Sequence, residues 1–169
     1  LAAIRSKVIP LLEAQAKCFN GTLKTELAAR GIHLLNWAEL SEKERNFSTH
    51  YFRANIFPVL TPLAVDPGLP FPFISNLSTS LGVALKHPER DEKLFARIKV
   101  PKIFPQWFQI RTDETKPDEF RFVNLMDVIK NNLKNLFTDM EILSIMPFRI
   151  TRNADIERIN SVVMRSPSA

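Results

Sequence analysis

The chain has 169 residues, a formal net charge of +5 and a single cysteine, enough length for one good core with a small helical piece appended. One cysteine excludes a disulfide framework and fits a reducing compartment. Charges and prolines interrupt every apolar run, so a spanning helix is excluded and no secretion signal opens the chain.

From the start, Ile4, Val8, Leu11 and Leu12 mark a helical stripe over Ala2 to Phe19, bent or entered at Pro10. Asn20-Gly21 is expected to break it, and Thr22 to Arg30 to form a second short helix stopping at Gly31. Ile32 to Leu35 reads as a short strand. Ser41, with Glu44 three residues on, is a capping box that starts a helix running to about Asn55.

Phe57 to Leu77 is the most informative stretch. Five prolines (Pro58, Pro62, Pro67, Pro70, Pro72) exclude a helix interior or a central strand. Yet Leu60, Leu63, Phe71, Phe73 and Ile74 among others make it too apolar for a solvated linker, so it must be pressed against something. The plain reading is a buried connector between helices and a sheet.

Strand patterns follow. Ser80 to Lys86 alternates on Leu81, Val83 and Leu85, and Lys93 to Val100 on Leu94, Ala96, Ile98 and Val100. Trp107 to Arg111 and Phe120 to Val123 are two more, across the charged turn Thr112 to Glu119. Asn124 caps an amphipathic helix with Leu125, Val128, Ile129, Leu133 and Leu136 on one face. Ile142 to Thr151 is the last strand, where Pro147 indicates an edge or a bulge. The expected fold class is α+β: N-terminal helices, then a mostly antiparallel sheet covered by a helix.

Ile56 to Leu81, with its Phe-Pro-Val-Leu-Thr-Pro-Leu-Ala-Val-Asp-Pro and Pro-Phe-Pro-Phe-Ile-Ser-Asn-Leu-Ser runs, resembles the middle (head) region of the bacterial polyphosphate kinase family. Val8 to Gln15, Gly31-Ile32, Tyr51-Phe52, Ile98 to Pro101 and Phe148 to Asp155 follow in the family's order. The resemblance covers the chain to about Glu157. It implies residues 1–31 as the end of a preceding helical domain and 32–158 as the head domain. The low-charge tail 159–169 departs from the family's pattern and is expected to be poorly ordered. Because the chain begins at Leu1 inside an apolar-periodic run, it reads as an excised fragment.

The chemistry implied is transfer of the terminal phosphoryl of ATP to polyphosphate, through a phosphohistidine and with Mg2+, on domains other than this one. His33, His50 and His87 match no position of the family's histidine motif, no pair of them has metal-ligand spacing, and no glycine-rich phosphate loop is present. Hence no catalytic, cofactor-binding or metal residue is assigned, and the chain alone is expected to be inactive. The partners implied are the enzyme's other domains, a second copy of the full enzyme, and polyphosphate, in the cytoplasm or peripheral at the inner membrane.

The positive balance suits a polyanion, but the basic residues are spread from Arg5 to Arg165 with acids among them, and nothing resembles a nucleic-acid-binding module. Nucleic acid is therefore not an expected partner. Alternation on the last strand sets Arg149 and Thr151 opposite Phe148 and Ile150, with Arg152 at the strand end. Arginine forks grip phosphate oxygens in two places, so Arg149 and Arg152 are candidate polyphosphate contacts, with Lys99 and Lys102 as weaker ones. The competing reading is a solvated face, or an ion pair with Glu141 or Asp155. Asp66 before Pro67 reads as a turn starter rather than a general base. Trp37 and Trp107 are either buried or a partner platform. Phe71 and Phe73 are the candidate interface residues. The alternative function is a protein-interaction scaffold with no phosphate binding, and a second is an independent polyanion-binding domain.

Overall fold

The computed structural model describes residues 2–65, 73–89 and 92–151. The expectations for Asp66, Phe71, Arg152, Asp155 and the tail fall outside those residues. A helical arm comes first, with α1 (Ala2–Lys17) carrying Pro10 inside it rather than at its entry. Asn20-Gly21 does not break the arm. Cys18–Leu23 continues as a π-helical turn, closed by the Lys24 N–H on the Phe19 carbonyl, into α2 (Lys24–Ala28). A wider turn takes up the misfit without leaving helical backbone. Gly31 then stops the arm at φ +78°, where a Cβ would stand 2.6 Å from the Asp118 carbonyl oxygen. Only glycine fits there.

Among the described residues the body holds seven strands in two sheets, where the sequence pattern suggests one. β1 (Ile32–Leu35), β5 (Trp107–Ile110) and β6 (Phe120–Asn124) form a three-stranded sheet in the order β1-β6-β5. β6 runs parallel to β1, Ile32 facing Phe120, and antiparallel to β5, Trp107 facing Asn124. β2 (Pro62–Val65), β3 (Thr79–Lys86), β4 (Lys93–Lys99) and β7 (Glu141–Arg149) form an antiparallel sheet in the order β2-β4-β3-β7. The sequence reading missed β2, which lies within the proline-rich segment. It is an edge strand opening on Pro62, the place where a missing donor is tolerated. β7 is the other edge. Its bulge lies between the Ser144 and Ile142 pairings, leaving Leu143 unopposed, while Pro147 keeps register with Leu81.

α3 (Glu42–Tyr51) continues through a π turn over Phe52–Ile56, and α4 (Leu125–Asn131) ends in a 3-10 turn at Leu133–Asn135. One core joins these helices to both sheets: Phe52, Ile56, Leu81, Val83, Ile98, Ile110, Val123, Val128, Ile129 and Leu133 are essentially sealed from water. The arm contributes nothing to it. Ile4, Leu11 and Leu12 are 64%, 69% and 56% exposed.

Candidate functional site

Helix caps and a buried ion pair border the three-stranded sheet. The Ser41 hydroxyl accepts from the Glu44 N–H at 3.3 Å, and the Glu44 carboxylate accepts from the Ser41 N–H at 2.9 Å, the reciprocal pair that the sequence spacing predicts. Glu44 is 3% exposed and also takes the Arg121 guanidinium of β6 in two places, Nε on Oε1 and Nη2 on Oε2 at 3.2 Å. Burial pushes the Glu44 carboxyl up, but Arg121 and the Ser41 amide outweigh it and hold it below the usual carboxylate range. Its hydrogen bonds raise the Arg121 pKa in turn. At the far end of β6, Asn124 Oδ1 accepts from the Met126 N–H at 2.9 Å and starts α4 as expected.

Beside that cap, at the meeting of the two sheets, lies an open cleft of about 780 Å³. The ends of β1 and β7, the starts of β3, β5 and α4, and the turn Val100–Phe104 enclose it. Arg149, Lys102 and Lys130 line it against a single carboxylate, Asp127, which stands 4.0 Å from the Lys130 ammonium. Trp107 and Phe104 supply its apolar wall. The structure thus brings Arg149 and Lys102 together. Glu141, proposed as an ion-pair partner for Arg149, begins β7 while Arg149 ends it, and no such pair forms.

Lys99 lies in a neighbouring groove, walled by Val59, Leu63 and Ile103. Pro101 and Lys102 line both spaces, so one turn separates them. Arg97 lines the groove as well, two residues before Lys99 and on the same face of β4. It is 4% exposed, and it donates from Nε to Ser80 Oγ at 3.3 Å and from Nη1 to the Phe73 carbonyl at 3.3 Å. The sequence reading passed over Arg97 and Lys130. The alternation of Leu94, Ala96 and Ile98 toward the core was the signal that could have placed Arg97 opposite them.

Phe73, at the return of the proline-rich segment, is 75% exposed, whereas the next residue, Ile74, is 1% exposed. The segment is therefore only partly a buried connector, since Val59 and Leu63 are also half open. A tight turn follows, in which Ser78 Oγ donates to the Ser75 carbonyl at 2.7 Å and Leu77 takes φ 56°. Trp37 and Trp107 are both half-buried, Trp37 against the core. His33, His50 and His87 lie on β1, on α3 and just beyond β3. Among the described residues, no group of three or more His, Cys, Asp or Glu side chains is placed to hold a metal, and no helix is long and apolar enough to cross a membrane.

Residues 43–163 match the model of the polyphosphate kinase middle domain. The chain belongs to the polyphosphate kinase family. It is 45% identical to a polyphosphate kinase of Synechocystis sp. over 92% of this chain and 22% of that protein. It is 43% identical to one of Aphanizomenon baltica over 91% of this chain and 41% of that protein. Its fold matches the crystal structure of polyphosphate kinase from Porphyromonas gingivalis at TM-score 0.81 and 27% identity, over 90% of this chain and 25% of that one. It therefore spans less than half the length of these relatives, as a middle domain does.

Proposed function

We propose that this chain is a non-catalytic wall of a polyphosphate kinase, bracing the reaction site and lining the path of the phosphate polymer. The whole enzyme then runs ATP + polyphosphate(n) to ADP + polyphosphate(n+1), reversibly, in the cytoplasm or against the inner membrane. Its phosphohistidine, ATP site and magnesium belong to its other domains. Phosphoryl transfer depends on positioning and on neutralising negative charge, so a basic wall matters without supplying the nucleophile. The observation that carries this reading is the cleft between the sheets, where Arg149, Lys102 and Lys130 face one carboxylate. The arm's exposed Ile4, Leu11 and Leu12 supply a face for the preceding domain, and exposed Phe73 contributes to contact between two copies of the enzyme.

Titrating the chain with polyphosphate at several salt concentrations tests the reading. Binding should weaken as salt rises and be lost in the Arg149→Ala, Lys102→Ala double variant. Absence of binding at every salt concentration would favour the scaffold reading instead. For the interface, sedimentation of the enzyme containing this domain should show weaker self-association with Phe73→Asp. An unchanged dimer would remove Phe73 from that role.

A further inference from the structure

Arg97 is the residue that the path along Arg149 does not use. A guanidinium taken out of water loses several kcal/mol of hydration and is retained where an anion or a full set of acceptors compensates. Among the described residues Arg97 has two acceptors, both neutral and both at 3.3 Å. Among the described residues no carboxylate pairs with it, none lines its groove, and Nη2 has no hydrogen-bond partner. The packing around it is specific. Gly82 faces Arg97 across the β3–β4 ladder, and a Cβ there would come within 2.8 Å of the Phe95 ring. The fork is held from both sides, by Ser80 of β3 and by the Phe73 carbonyl, and its free end borders a groove of about 580 Å³. Lys99 and Lys102 stand exposed at the rim of the same groove.

A fixed planar fork beneath two exposed ammonium groups, with no acid beside them among the described residues, is the arrangement that grips a phosphoryl group: the fork sets direction and the lysines add charge. We propose that the Arg97 groove is a second phosphoryl-binding subsite, separate from the Arg149 cleft and joined to it over the Lys102 turn. Its ligand class is an inorganic phosphate chain, or the phosphate chain of a nucleotide, entering end-on between Val59 and Ile103. The choice of ligand rests on the reading of the chain as part of a polyphosphate kinase. The site itself rests on the buried Arg97 guanidinium, which has no carboxylate partner among the described residues.

The test uses the 169-residue chain with tripolyphosphate as the probe, and reads the arginine Nε–H signals by NMR against sodium chloride of equal ionic strength. Tripolyphosphate should shift the Arg97 signal saturably, where chloride does not. Lys99→Ala, a change at an exposed rim position, should weaken that response about fivefold and leave the Arg149 response in place. Arg149→Ala should do the reverse. If the Arg149 signal moves and that of Arg97 stays fixed, the second subsite is overturned while the cleft reading stands. If neither moves, both fall. Equal shifts with chloride would reduce the effect to a counterion atmosphere and overturn the subsite.

Discussion

Arg121 and Arg97 sit on strands of different sheets, and the two regions treat a guanidinium in opposite ways. Around Arg121 the structure is closed. Glu44 accepts both arms of the fork, and the same carboxylate caps α3. Around Arg97, among the described residues, a serine hydroxyl and a backbone carbonyl alone reply, and charge is left facing a groove. The first arrangement uses the arginine's charge within the fold. The second leaves it available to something else. Arg149, at the end of an edge strand, is a third case, with its charge exposed on a cleft wall.

Breaking the closed region should have the largest effect. Glu44→Ala removes a cap and both hydrogen bonds to Arg121, leaving that guanidinium only Glu119 at 4.0 Å, and is expected to cost about 3 kcal/mol in denaturant unfolding. A loss near that of an ordinary surface pair would show that the pair is solvated after all. Next is Gly82→Ala, whose methyl meets the Phe95 ring. It should cost about 1–3 kcal/mol and move the Arg97 groove, visible as shifts at Phe95 and Ser80.

Arg97→Met sharpens the contrast. It loses two hydrogen bonds but leaves no opposite charge behind, so the expected cost is about 1 kcal/mol, well below that of Glu44→Ala. A cost equal to that of Glu44→Ala would mean that Arg97 is anchored like Arg121. Arg149→Ala should be the mildest, within about 0.5 kcal/mol of wild type, with its consequence in polyphosphate binding alone.

Acidity probes the same comparison. The folded pKa of Glu44 lies below its unfolded value, so its contribution is fully present above the ordinary glutamate range and is lost as pH falls through the depressed folded value. Unfolding free energy measured across that range should decline, and Glu44→Gln should flatten the decline. Arg97 and Arg149 have no carboxylate partner among the described residues, and their variants should leave the slope unchanged.

Local rules made much of this legible in advance. Ser41–Glu44 and Asn124 announced two helix starts, Gly31 one stop, and the alternation of Leu81, Val83 and Leu85 one buried face, because each depends on residues a few positions apart. The Asn20-Gly21 pair misled for a related reason: a turn signal is a local preference, and a π turn satisfied the backbone without breaking the helix. The proline-rich segment was distinctive enough to carry the family, yet its chemistry could not show that β2 would join β4 at the sheet edge.

Composition, caps and strand periodicity were thus settled by the chain's order of residues, since those energies act between near neighbours. Tertiary structure alone decided that the strands divide into two sheets, that β1 pairs with β6 some 88 positions later (Ile32 with Phe120), and that Glu44 meets Arg121. It also brought Arg149 to the same cleft as Lys102 and left Arg97 buried without a carboxylate among the described residues. Which distant residues meet is chosen by how one shared core closes, and no local pattern contains that choice.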